Sequence, residues 1–358
     1  MPATVAVLGG GYGGMTVAKA LDDVADVVLV EPRDAFVHNV AALRGVVDRE
    51  WTDRLFYRYD RLLERGRVVH DRAVRVSGTE IALGSGQTIE ADYVVLATGS
   101  SYPFPAKIDV LDSAAAKDRL HATRDSLERA DRVLLLGAGP VGLEFAGEIR
   151  AAWPEKAVTI VDPAGDVLPA FPVEFRSELR RQLEVLRIEL VMGTSLRDQP
   201  PSEPGEHKTF TATTGTGAEI TADIWFRCFG VEPATGYLAG DLAAARTAGG
   251  HVEVTGDLRL PGQERVFAIG DITALPEAKM AKSAGDHANV VAANIRTLIN
   301  GGGEALTTYE PAPPMIALPL GPKGGVSYTA DTGVLGPDVT SEIKGADLRA
   351  GYYAEMLG

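Results

Sequence analysis

The sequence predicts an α/β protein of two three-layer units with parallel sheets, the second inserted in the first, followed by a small C-terminal α+β unit. Three observations predict it. Gly9-Gly10-Gly11-Tyr12-Gly13-Gly14 follows an apolar run at 5–8, and Gly137-Ala138-Gly139-Pro140-Val141-Gly142 follows another at 133–136, 128 residues later. Gly270-Asp271 follows a third run, at 266–269. Apolar runs this continuous fit parallel strands buried on both faces, and a glycine-rich turn between strand and helix is the start of a Rossmann-like dinucleotide-binding unit.

Each element follows in order. A strand at 5–8, the first turn, a helix over about 12–21 and a strand at 27–30 open the first unit. Residues 35–63 lack periodicity and are expected to cross the sheet. A strand over 68–76 leads to a hairpin from 80–83 and 87–90, because Gly84-Ser85-Gly86 is a glycine-bearing gap of hairpin length. Strand 93–96 runs into Ala97-Thr98-Gly99. After Pro103-Phe104-Pro105 the pattern restarts: helix 113–130, strand 133–136, the second turn, and a helix to about 152. Strand 158–161, a proline-rich loop, helix 173–186 and strand 189–192 continue it. Residues 200–217, rich in Pro, Thr and Gly, read as an exposed hairpin or loop, and 224–229 ends the unit. Residues 256–269 return to the first unit. A long helix is expected over 277–299, stopped by glycines 301–303. Short strands at 315–320, 326–328 and 343–348 and a last helical turn at about 352–357 complete the chain. The implied units are 1–104 with 240–307, then 105–239, then 308–358.

The glycines carry the chemistry. In each turn the first glycine permits a tight turn, the second lets the backbone approach a pyrophosphate, and the third lets the helix close on the sheet. The helix N-terminus then presents free N–H groups to the phosphates. Glu31 lies 22 residues after Gly9, where a carboxylate accepts hydrogen bonds from an adenosine ribose; Asp162 lies 25 residues after Gly137 in the same role. A carboxylate there repels a 2′-phosphate, and no Arg or Lys stands between Asp162 and Phe175, so NADH is favoured over NADPH. Two such turns imply electrons passing between two dinucleotides, a flavin (FAD) fed by a nicotinamide. Gly270-Asp271 suits a carboxylate held near a ribityl chain. Lys279, in the expected first turn of helix 277–299, adds positive charge at the flavin's pyrimidine edge with the helix dipole, and Met280 adjoins it. Glu144 is placed in the first turn of its helix, facing the nicotinamide. His287, further along the long helix, reads as a satisfied structural histidine. Tyr12, Arg33, His38, Asn39, Arg44, Ala97, Thr98 and Gly99 join the candidate FAD site, and Val141 the nicotinamide site.

Composition narrows the partners. A net charge of −14 argues against nucleic acid. One cysteine, Cys228, excludes an intrachain disulfide and reads as a buried inert thiol. Residues 1–4 run directly into the first strand, Pro2 excludes N-myristoylation, and no apolar run reaches the roughly 18–20 residues of a membrane span. A cytoplasmic protein without integral membrane insertion is expected, a homodimer being compatible with it. No metal-ligand spacing is visible.

Together these residues resemble the two-dinucleotide-binding flavoprotein oxidoreductases. More narrowly, the chain resembles the apoptosis-inducing-factor-like group that includes ferroptosis suppressor protein, and behind it the type II NADH dehydrogenases. The narrower likeness rests on His38-Asn39-Val40-Ala41-Ala42-Leu43-Arg44, on Val266 to Asp271, on Lys279-Met280-Ala281 with Ala284-Gly285 and His287-Ala288-Asn289, and on Ile343-Lys344-Gly345-Ala346-Asp347-Leu348. It implies FAD held through Gly9, Gly11, Gly14, Glu31 and Asp271, and NAD(P)H through Gly137, Gly139, Gly142 and Glu144, with Lys279 near the flavin. The implied reaction is hydride transfer to flavin N5, then electron delivery to a quinone or oxygen. The sequence departs from the group by lacking a myristoylation start and long C-terminal membrane helices. NADH oxidase, carrier-protein reductase and NADH-responsive redox sensor are the alternative readings.

Overall fold

The computed structural model describes residues 2–301 and 305–357. Its first parallel sheet has the strand order Val266–Ala268, Tyr93–Leu96, Thr4–Leu8, Asp26–Val30, Arg67–Val69. The second has the order Ile188–Met192, Ala157–Asp162, Arg132–Leu136, Ile224–Arg227, also wholly parallel. Each central strand, Thr4–Leu8 or Arg132–Leu136, is flanked on both sides, and its apolar residues are buried on both faces, except for the half-buried Leu136 at the strand end. The chain leaves the first sheet after Leu96 and returns with Val266. Ser100–Ser101 pairs antiparallel with Glu232–Pro233, so the outgoing and returning segments touch where they cross. The second unit is therefore inserted in the first.

Helices cover the sheets as the glycine spacing requires. Tyr12–Leu21 begins at Gly11 and packs along Ala281–Ile299, its buried Met15, Val17, Ala18 and Leu21 meeting Ala288, Val291, Ala292 and Ile295. Fully buried side chains the size of Met15 and Leu21 contribute about 1.5–3 kcal/mol each. In the second unit Pro140–Ala152 starts with Pro at N1, where its missing N–H costs nothing and its φ suits the helix. After strand Ile188–Met192 the chain forms a hairpin, Phe210–Thr213 with Glu219–Ala222, which starts later and runs past the expected 200–217 and buries Phe210, Ala212 and Ala222. The C-terminal region is a three-stranded antiparallel sheet of Ile316–Leu320, Gly324–Thr329 and Gly333–Leu335, covered by the short helix Pro337–Thr340, while the last helix, Ala350–Leu357, packs back on the first unit through Tyr353, Met356 and Leu357.

Four expectations are corrected. Strand 68–76 is two strands: Arg67–Val69 joins the parallel sheet, and Ala73–Ser77 joins an antiparallel sheet with Glu80–Leu83 and Thr88–Glu90. Asp71 causes the break, its carboxylate accepting the N–H of Arg72 at 2.7 Å and of Ser85 at 3.1 Å. Residues 35–63 hold their own strand pair, Ala35–Val37 with Phe56–Arg58, around short helices. The long helix begins at Ala281, not 277. Residues 343–348 form no strand; Ser341–Gly345 is a π-helical turn, closed by Ala346 N–H to Ser341 O at 2.8 Å. Of glycines 301–303, Gly301 follows the helix with φ +107°, and 302 and 303 lie outside the described residues.

Candidate functional site

The two glycine turns share one construction. Gly9 (φ +102°) and Gly137 (φ +115°) are left-handed. The N–H of Gly9 donates to Val30 O and that of Gly137 to Val161 O, both at 2.8 Å. Ala97 N–H reaches Leu8 O and Cys228 N–H reaches Leu136 O, again both at 2.8 Å. A Cβ on Gly9 would lie 2.5 Å from the Ala97 carbonyl oxygen, and on Gly137 2.8 Å from that of Cys228. On Gly14 or Gly142 it would lie 1.8 or 1.9 Å from the carbonyl oxygen of the turn's own first glycine. Packing thus explains the first and third glycines of each turn. It does not explain the second. A Cβ on Gly11 or Gly139 would meet nothing within 4 Å. Both are helix N-caps without a side-chain cap, and neither helix has an acid in its first turn. The N–H groups there are left for an anion. The chain fits a dinucleotide pyrophosphate at each turn.

The carboxylates repeat the symmetry. Buried Glu31 accepts Gly10 N–H at 2.7 Å and Arg33 N–H at 2.9 Å. Asp162 accepts Ala138 N–H at 2.6 Å and Ala164 N–H at 2.7 Å. Each acid therefore clips its glycine turn to the neighbouring strand end and keeps lone pairs for a ribose. Tyr59, which sequence reasoning missed, donates from its hydroxyl to Gly10 O at 2.8 Å. A cavity of about 480 Å³ beside the second turn is lined by Gly137, Asp162, Arg197, Trp225, Arg227 and Phe229 among others. The stretch between Asp162 and Phe175 lacks cations, but the fold brings Arg197 and Arg227 into this cavity from later in the chain.

Between the turns lies a cluster of charged groups. Asp271 Oδ2 accepts from Ser100 Oγ at 2.5 Å and from Lys107 Nζ at 2.9 Å. Burial works to raise its carboxyl, yet Lys107, Ser100 and Lys279 hold it below the ordinary value. Lys279 is not in a helical turn. It sits in the extended approach to Ala281, and its Nζ donates to Leu275 O at 3.0 Å. The helix starts late because Glu277 has tertiary partners: Oε1 accepts from His287 Nε2 at 2.6 Å and Oε2 from the Tyr309 hydroxyl at 2.7 Å. His287 Nδ1 accepts Gly270 N–H at 3.0 Å, which makes Nε2 the protonated nitrogen. Met280 is the helix N-cap, leaving the first N–H groups uncapped by any side chain.

Glu144 lies beyond the first turn of its helix and is paired with Lys344 at 2.7 Å. Burial pushes its carboxyl up, against the pull of Lys344. One turn on, Glu148 takes a two-bond ion pair from Arg44, at 2.9 and 2.7 Å. Arg44 also donates to Ala346 O at 3.1 Å. Its guanidinium is thus committed to the protein, where the sequence placed it on FAD. His38 is buried between Tyr12 and the C-terminal segment: Nε2 donates to Leu348 O at 2.8 Å, and Nδ1 accepts from the Tyr12 hydroxyl at 3.0 Å. Asn39 Oδ1 accepts Ile108 N–H at 3.0 Å, and Thr98 Oγ1 donates to Ala234 O at 2.6 Å. Both tie the first unit to the segments crossing between units.

Residues 3–288 match the pyridine nucleotide-disulphide oxidoreductase family. The chain belongs to that family. It is an FAD-dependent NAD(P)H oxidoreductase. Ferroptosis suppressor protein 1 of Taeniopygia guttata is 31% identical over 334 residues, covering 90% of this chain and 87% of the relative. Apoptosis-inducing factor homolog B of Dictyostelium discoideum is 28% identical over 374 residues, 99% of this chain and 96% of the relative. Among solved structures, the sulfide:quinone oxidoreductase of Aquifex aeolicus aligns with a TM-score of 0.75 at 17% identity, over 99% of this chain and 91% of that one. NDH2 from Plasmodium falciparum in complex with NADH aligns at 0.74 with 12% identity, over 100% and 95%. The two structural likenesses establish the fold.

The oxidoreductase has no dithiol of its own to relay electrons. Cys228 is its single cysteine, and burial pushes the thiol up to about 12. Its part is structural, packing against the second turn as Ala97 does against the first. Among the described residues no cluster of His, Cys, Asp and Glu could hold a metal ion, and no helix is long and apolar enough to cross a membrane. Sequence reasoning missed Lys107, Glu148 and the pairing of Lys344. Lys344 stood inside a recognised segment, but a strand assignment gave no reason to direct it at Glu144.

Proposed function

We propose that the protein passes reducing equivalents from NADH through FAD to a quinone-type acceptor. The observation that carries this reading is the pair of matched turns, each open only at its middle glycine. In this reading Gly9, Gly11, Tyr12, Gly14, Glu31, Arg33, His38, Asn39, Ala97, Thr98, Gly99, Gly270, Asp271, Lys279 and Met280 form the FAD site. Arg44 serves it indirectly, by fixing the short helix that follows His38. Gly137, Gly139, Val141, Gly142, Glu144 and Asp162 form the nicotinamide site. The units run over 1–104 with 240–307, 105–239 and 308–358. When bound, FAD supplies hydride acceptance at N5 and onward electron transfer.

The chain's own residues orient and tune. The uncapped start of the Ala281–Ile299 helix and the Lys279 ammonium favour negative charge beside them. Glu31 and Asp162 hold the two turns and present carboxylate to ribose hydroxyls. Glu144 and Lys344 place a half-buried ion pair between the nicotinamide helix and the C-terminal segment, where a proton can be held or released as an acceptor is reduced. The quinone assignment is supported by the named relatives, and a cytoplasmic setting belongs to the same reading.

The test is NADH oxidation by the FAD-loaded protein in air, with and without a soluble quinone. Many-fold stimulation by the quinone is the expected result. A rate no faster than the slow oxygen reaction overturns the acceptor assignment and leaves an oxidase, a carrier reductase or a sensor.

A further inference from the structure

Lys107 belongs to neither glycine turn. It stands in the segment that leaves the first unit, after Phe104-Pro105, which is a cis peptide bond. Its ammonium is nevertheless fully engaged at the strand end carrying Gly270-Asp271. Nζ donates to Ser100 O at 3.0 Å, to Ser100 Oγ at 2.7 Å and to Asp271 Oδ2 at 2.9 Å. Those three acceptors use its three protons. Ser100 Oγ donates to the same Asp271 oxygen at 2.5 Å. Both bonds fall on Oδ2, so Asp271 is held in one rotamer with Oδ1 directed away from them.

We infer that Lys107 is a flavin-positioning residue, acting through Asp271: it fixes the carboxylate that FAD requires and cancels its charge. The inference rests on Asp271 being the FAD-site carboxylate, as proposed above. Charge bookkeeping supports it. The site must accept a pyrophosphate with two negative charges beside two acids, Glu31 and Asp271. The side chain of Asp271 is only 20% exposed and that of Lys107 29% exposed, so water screens the pair incompletely. Remove Lys107, and Asp271 becomes a half-buried anion facing another anion, with Ser100 as its remaining bonded partner among the described residues and Lys279 as another nearby cation. The carboxylate then either swings or takes up a proton.

The test follows FAD release from the holoprotein, read as recovery of free-FAD fluorescence after dilution, across pH. Lys107→Met is expected to release FAD about tenfold faster at pH 7, less than the loss for a fully buried charge pair because water partly screens this one. Its acid-triggered release should begin at higher pH than in the parent, because Asp271 has lost the cation that keeps it ionised; a purely structural lysine would not move that midpoint. Lys107→Arg, which retains charge but not the three-bond geometry, should fall between. Asp271→Asn should accelerate release on its own, and adding Lys107→Met to it should change little more. Ser100→Ala supplies a milder probe if Lys107→Met does not fold, and should speed release several-fold.

Unchanged release and an unchanged pH midpoint in both Lys107→Met and Ser100→Ala overturn the inference. So does full multiplication of the Lys107→Met and Asp271→Asn effects, which would put Lys107 directly on FAD. If Asp271→Asn itself leaves release unchanged, it is the assignment of Asp271 that fails.

Discussion

At the residue scale the second glycine of each turn is the sharpest probe, because only there does packing give no reason for the missing side chain. Gly139→Ala should leave the melting temperature within about 2 °C of the parent. It should nonetheless raise KM for NADH about tenfold or more, the value of a charge-assisted hydrogen bond lost to the methyl group. Gly142→Ala should do the reverse first, costing about 1–3 kcal/mol or more of stability as its Cβ meets the Gly137 carbonyl. Thermal melts and NADH titrations separate the two outcomes. His38 supplies the pH prediction. Burial pushes its imidazole down to about 4 from an unfolded value of 6.5. The unfolded chain therefore binds the proton first, and the stability contributed by neutral His38 is complete above about pH 6.5 and lost as pH falls towards 4. Between pH 7 and 5 the expected loss is about 2 kcal/mol, visible in urea melts and removed in His38→Gln, which leaves a smaller contribution of the same sign from His287 and one of opposite sign from the raised Glu144 carboxyl.

At the element scale, the Pro140–Ala152 helix joins the three parts of the molecule through two carboxylates a turn apart. Glu148 binds Arg44 of the first unit, which also holds Ala346 O, and Glu144 binds Lys344 of the C-terminal region. The Arg44 and Glu148 side chains are 3% and 5% exposed. Glu148→Ala should destabilise by about 3–5 kcal/mol, because it strands a buried guanidinium. Replacing both partners with methionine should cost much less, and a double-mutant cycle by urea denaturation checks the difference. Lys344→Met should let burial raise the Glu144 carboxyl further, moving the acidic limb of the quinone-reduction pH profile upward. An unmoved profile would deny Glu144 a part in turnover. Element assignment from sequence succeeded where periodicity and turn chemistry agreed, as at Tyr93–Leu96 and at Gly84-Ser85-Gly86. It failed at 343–348, where the backbone conformation is decided by what Lys344, Ala346 and Leu348 must reach in other units.

At the scale of the whole molecule, coenzyme choice is the open quantity with a direct measurement. Asp162 faces the same cavity as Arg197 and Arg227. With the Asp162 carboxylate bound to two backbone N–H groups and fixed beside the turn, kcat/KM for NADH should exceed that for NADPH by at least about tenfold. Parity of the two coenzymes would mean that the arginines outweigh the acid. The contrast shows what each level of description decides. Sequence alone determined the duplicated α/β architecture, the two glycine turns and the acids that clip them, because strand, glycine turn and helix lie within about 30 residues of one another and local backbone rules govern them. Tertiary structure alone decided that Lys107 serves Asp271, that Arg44 serves Glu148, that Lys344 serves Glu144 and that the long helix starts at Ala281. Those partners lie 104 to 200 residues apart, except where Glu277 gives up a helical turn to bind His287 and Tyr309. A charge finds its partner by burial and distance, and neither is written in spacing along the chain.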